Sequence, residues 1–229
     1  MAVHLVCGYT RTGKDTLHEI LSTGGRVRSS NDLYTLNSAG LYIRNPTIKW
    51  IIYALPGTPL PTYEEKLVKN SLAAPLKVAS ASEMPRIEWE ITQLLKLDHH
   101  WLHYESVKDT LIVEGKLLRQ HYIDYGAKRR AKDIDYWLKA ANVKPGDYIA
   151  DWRFMNELYF CRTRFPVLTT RLLRSETTHT DKSITSEHSL DQVQTDYLFV
   201  IAQSGEFVKA SKAFPQYAGY QAIGVVSIN

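Results

Sequence analysis

VCGYTRTGKDTLHEIL, residues 6–21, carries the reading on which the fold class of this chain turns. Gly8 and Gly13 stand five apart, and Lys14 follows the second glycine directly. Glycines let a backbone turn its N–H groups inward around phosphate oxygens, and a helix that follows points its positive end at them. The stretch fits the first seven positions of the nucleotide-phosphate loop pattern. Asp15 takes the place where Ser or Thr normally meets magnesium, and Thr16 comes one residue later. Just upstream, residues 3–7 are short and β-rich and read as a buried strand. Just downstream, Leu17, Ile20 and Leu21 recur at helical spacing until Gly24-Gly25. Strand, glycine loop and helix in that order distinguish a phosphate loop from a turn with a surface lysine. Gly8, Arg11, Thr12, Gly13, Lys14, Asp15 and Thr16 are therefore the expected nucleotide-phosphate contacts, with Lys14 reaching the β- and γ-phosphates.

Working outward, strands are expected over residues 148–151, 167–173 and 197–202, and helices over 15–22, 156–164 and 206–214. Helical patterns dominate 63–97, broken near Pro75 and Pro85, and recur over 116–125 and 133–141 around a basic joint, Lys128-Arg129-Arg130. Residues 41–44 and 48–55 read as strands or a hairpin, and residues after 214 as a tail. Strands alternating with helices imply an α/β fold with a largely parallel sheet. Residues 175–191 are polar without apolar periodicity, the character of a lid.

Composition narrows the class. The chain has 229 residues, 44% hydrophobic and 23% charged, which allows a packed core in one large domain. A net charge of +4 suits a small anionic substrate better than a nucleic-acid coat. Cys7 and Cys161 have no metal-ligand spacing and form no disulfide framework, so a reducing compartment is expected. No basic start leads an apolar segment, and the longest apolar run, 50–55, is far too short to cross a bilayer. A soluble, cytoplasmic protein without a membrane partner is the expectation.

Phosphoryl transfer needs an acceptor side as well. Asp151-Trp152-Arg153 follows a strand, and in open α/β sheets that edge faces the ligand crevice. An acid and an arginine there could order magnesium-bound water and clamp a phosphate, or pair with each other and cap the next helix. Lys77 ends AAPLK, residues 73–77. Arg119, Lys128, Arg129 and Arg130 with Trp137 offer either a monophosphate clamp with a stacking face or a solvated helix surface. Arg171 and Arg174 precede the lid segment, which contains Ser186-Glu187.

In combination these stretches resemble the phage-type deoxynucleoside monophosphate kinases, in that family's order over nearly the whole chain. GYTRTGKDT carries the family's Asp-Thr after the lysine, and AAPLK is similar to its proline-containing segment ending in lysine. RQHYIDYG (119–126), IDYW (134–137), IADWRFMNE (149–157) and SEHSLD (186–191) resemble its remaining blocks. Ala127 departs from it where a threonine is usual, and Ile184 where a histidine is frequent. The resemblance implies a P-loop kinase-type three-layer α/β/α fold with a mostly parallel central sheet. One domain would span 1–229, with a helical acceptor-binding region at about 62–145, a lid at about 174–191 and an insert at about 40–61. It implies transfer of the γ-phosphate of ATP, with Mg2+, to a deoxynucleoside 5′-monophosphate. Lys14, Asp151, Arg153 and Arg174 would be catalytic. Lys77, Arg119, Gly126, Arg130, Trp137, Arg153 and Glu157 would bind the acceptor, and Asp15 and Asp151 would meet magnesium. Viral origin, host-cytoplasmic location and a homodimer are implied in the same way, with no stable nucleic-acid partner. A kinase of another small phosphorylated metabolite, such as phosphomevalonate, shares the GKDT spelling. A non-catalytic nucleotide- or nucleic-acid-binding module would use the basic joint instead. His99, His100 and His103 allow an i, i+4 metal pair but lack an acid or cysteine partner at a diagnostic interval. Nothing resembles a nucleophile elbow.

Overall fold

In a computed structural model, the described residues are 1–8, 12–23, 25–36, 38, 41–63, 67–83, 109–173, 189–201 and 215–228. The chain divides into two compact units, one of residues 1–70 with 144–229 and the other of residues 71–143.

The first unit is built on β1 (Val3–Cys7), buried at every position, which leads into α1 (Lys14–Ser22). Then come β2 (Arg26–Ser29), a hairpin of β3 (Tyr34–Leu36) with β4 (Tyr42–Arg44), β5 (Ile48–Ala54) and β6 (Val68–Asn70). The second unit holds α2 (Ala73–Glu83), a short hairpin of β7 (Ile112–Val113) and β8 (Lys116–Leu117), α3 (Leu118–Arg130) and α4 (Tyr136–Ala140). The chain returns to the first unit with β9 (Asp147–Ile149), α5 (Met155–Arg162), β10 (Val167–Leu173), β11 (Tyr197–Ile201) and β12 (Gln221–Ser227).

One eight-stranded sheet runs in the order β2-β12-β5-β11-β10-β1-β9-β6. From β6 to β11 neighbours are parallel; β11–β5, β5–β12 and β12–β2 are antiparallel. The protein is α/β and its sheet is mostly parallel as expected, but the antiparallel strands at one side make it a mixed sheet, which overturns the expected P-loop kinase-type three-layer fold. Two sequence segments account for the difference. Within 40–61, read as an insert, Ile48, Trp50, Ile52 and Ala54 alternate as buried positions, and that strand is hydrogen-bonded between β11 and β12. Residues 221–227, read as tail, form an inner strand. On one face the core joins Leu17 and Leu21 of α1 to Val6, Trp50, Ile52, Tyr148, Leu172 and Phe199. On the other, Leu173, Leu198 and Val200 pack against Tyr217 and Tyr220, beside a 3-10 turn at Pro215–Tyr217. The helix expected at 206–214 and most of the segment read as a lid lie outside the described residues.

In the second unit the basic run is no joint between helices: Lys128, Arg129 and Arg130 form the last turn of α3. Pro75 does not break the helical pattern either, because it sits in the first turn of α2, where its missing N–H costs nothing. Among the described residues no helix is long and apolar enough to cross a membrane.

Candidate functional site

Within the first unit, the carboxyl ends of β6, β9, β1, β10 and β11 share one edge, since these strands are parallel. β1 is flanked by β9 on one side and β10 on the other, and the chain crosses from β9 to β10 past it; in open α/β sheets ligands bind outside this carboxyl edge. The glycine loop starts there. Gly8 has φ +143°, and a Cβ on it would stand 2.7 Å from the Leu172 carbonyl oxygen and 2.9 Å from Thr12 Oγ1. Glycine is required by both conformation and space. Thr12 is buried, and Gly13 adopts the left-handed conformation at the N-cap of α1.

The N-cap of α1 is Gly13, which carries no side chain that could accept from the first amides of the helix. The Lys14 ammonium donates to the Gly8 carbonyl at 2.6 Å, spanning the loop from end to end. Tyr148 Oη donates to the Lys14 carbonyl at 2.8 Å, tying the start of α1 to β9. Asp15 pairs with Lys69 of β6 at 2.8 Å, and both side chains are well exposed. Thr16 is exposed on the same turn. Arg11 and Arg174 fall outside the described residues.

Beside this loop lies the end of β9. Leu5 pairs with Ile149, so Asp151 stands two residues past the ladder on β9 as Cys7 does on β1. The segment after it is held firmly. The buried Trp152 donates its indole N–H to the Phe154 carbonyl at 2.9 Å. Glu157, also buried, accepts the backbone N–H groups of Arg153 (2.7 Å) and Phe154 (2.9 Å). The Ser189 hydroxyl donates to the Arg153 carbonyl. Arg153 is thereby fixed in its backbone with its side chain half-buried at the carboxyl edge. Glu157 shapes the turn that presents Arg153, a role the sequence reading did not give it.

Compared with protein-family models and with curated proteins, the chain matches none. The site therefore rests on its own chemistry. Burial pushes the Cys7 thiol up despite the nearby cations Arg171 and Lys14, and pushes Cys161 up to about 12. Neither is a thiolate nucleophile at neutral pH. Among the described residues no three His, Cys, Asp or Glu side chains cluster as a metal site. Magnesium commonly takes one or two protein carboxylates and completes its shell with waters and substrate phosphates. Asp15 and Asp151 are the carboxylates that could serve a metal at this edge.

The second unit carries the remaining expected residues. Arg119 is engaged as a fork with Asp109, its Nη2 lying 2.9 Å from Oδ2. Trp137 is 6% exposed, donates its indole N–H to the Gly126 carbonyl at 3.2 Å, and packs on Tyr125 and Tyr136. Gly126 is hemmed in: a Cβ there would meet Leu76 at 2.6 Å. Arg130 is half-buried beside Gly126, and Lys77 is half-buried on α2. Arg129 lies over the Tyr125 and Tyr136 rings, 5.5 Å from each centroid. The expected stacking residue, Trp137, is thus a core anchor of this unit. Sequence reasoning missed Lys69, Tyr148 and Trp50 as neighbours of the glycine loop, because no local spacing marks a partner brought in from another strand.

Proposed function

We propose that the chain is a phosphotransferase that moves the γ-phosphate of ATP to a deoxynucleoside 5′-monophosphate. The observation that carries this reading is the glycine loop at the carboxyl edge of β1. Its two positive-φ glycines flank it, Lys14 crosses it, and α1 opens directly from the second glycine. Phosphoryl transfer demands positioning and charge stabilisation more than covalent chemistry from the protein. Here the α1 amides and Lys14 would hold the β- and γ-phosphates, and Thr12, Asp15 and Thr16 would order the phosphates and their metal. Magnesium bound with ATP would supply charge neutralisation at the phosphates, with Asp15 and Asp151 as the carboxylates near it. Arg153, on its braced turn, would offset charge on the transferred group, with Asp151 ordering metal-bound water.

The test is a coupled ADP-release assay of the full chain with each of the four common dNMPs. Turnover that depends on one dNMP, and falls at least about 100-fold in Lys14→Ala, is expected. Absence of dNMP-dependent turnover in the wild type overturns the acceptor assignment. The Asp109-bound Arg119 and the buried Trp137 favour a second reading with the same donor, in which the acceptor is another small phosphorylated metabolite. Phosphomevalonate in the same assay separates the two.

A further inference from the structure

Trp50 is the strongest unexplained group in the first unit. It stands on β5, paired with Ile201, the last residue of β11, and so lies at the carboxyl edge of the parallel strands. Its side chain is 4% exposed. Among the described residues no acceptor lies within hydrogen-bonding reach of its Nε1. An indole N–H donates and cannot accept, and buried donors in folded proteins nearly always have a partner.

Its position suggests what that partner is. A Cβ placed on Gly13 would lie 3.3 Å from Trp50 Cζ2. Nε1 is only two bonds from Cζ2, which places the donor within a few ångströms of Gly13. Gly13 is where the glycine loop ends and α1 begins. A phenylalanine would join the same apolar core, which includes Val6, Leu17 and Phe199, without bringing a donor. We infer that the buried indole N–H of Trp50 donates to a phosphate oxygen of a polyphosphate seated at Gly13. The strand outside the parallel set thereby becomes part of the phosphate site.

This inference rests on reading the glycine loop as a polyphosphate site, and the experiment separates the two. The chain has five tryptophans, so an amide-correlation spectrum of the 15N-labelled full chain gives one indole cross-peak for each. Trp50→Phe identifies the Trp50 peak, and side-chain correlation assigns it independently should that variant fail to fold. The probe is inorganic tripolyphosphate, with calorimetry measuring its binding in parallel. The Trp50 indole proton is expected to move downfield with saturation, more than the other four. Trp50→Phe is expected to bind tripolyphosphate about tenfold more weakly. Tripolyphosphate binding with an unmoved Trp50 peak, as when a loop carbonyl already accepts this N–H, overturns the inference and leaves the phosphate site standing. A moving peak with unchanged affinity in Trp50→Phe overturns it as well. If the wild type binds no tripolyphosphate, both readings fall together.

Discussion

Gly8 shows how closely one residue can be specified. Its φ of +143° is already strained for an L side chain, and a methyl group would run into the Leu172 carbonyl oxygen at 2.7 Å. Gly57 has φ +82° with nothing within 4 Å of its virtual Cβ, so it isolates the conformational part. Gly57→Ala should cost about 1 kcal/mol, and Gly8→Ala at least about 2 kcal/mol, in urea denaturation. Equal midpoints would mean that the contact with β10 is soft. His4 offers a second test. It is 4% exposed on β1, its ring 5.0 Å from that of Tyr63, and burial lowers its pKa to about 4. Above pH 6.5 the ring is neutral folded and unfolded, and contributes no pH dependence. As pH falls from 6.5 to about 4 the unfolded chain takes the proton first, so stability is lost across that window. The full loss is about 3 kcal/mol. Stability measured against pH should fall less steeply there in His4→Phe than in the wild type.

Among the elements, α5 depends on a carboxylate at its start. Glu157 accepts the backbone N–H groups of Arg153 and Phe154. Glu157→Ala should destabilise by about 1–3 kcal/mol in chemical denaturation, and Glu157→Gln by less, because its amide oxygen still accepts. Elements such as β1, α1 and β10 are legible in the sequence because their apolar runs are bounded by glycine, proline or charge. β5 shows alternation, yet nothing local says that its partners are β11 and β12. β12 is harder still, since Gly224 in its interior weakens the strand signal and the preceding turns suggest a tail. The candidate site divides in the same way. Gly8, Gly13 and Lys14 are legible from spacing and context, whereas Lys69, Tyr148 and Trp50 reach the loop through tertiary packing.

For the whole molecule the governing feature is the antiparallel side of the sheet. β12 lies between β5 and β2, with Gly224 paired to Ser29 and also in register with Ile52. Removing residues 221–229 should therefore strip the sheet of an inner strand, leaving β2 without its neighbour and β5 with an open edge. Such a chain is expected to lose soluble expression and its cooperative melt by circular dichroism; a melt like that of the wild type would show the strand to be dispensable. The same pairing sets a schedule for biosynthesis. At ribosomal speeds of about 5–20 residues per second, residues 26–29 emerge on the order of ten to forty seconds before the segment that will hydrogen-bond them. During that interval the nascent chain carries its own unfinished β-edge, the stage at which a cellular chaperone has most to shield.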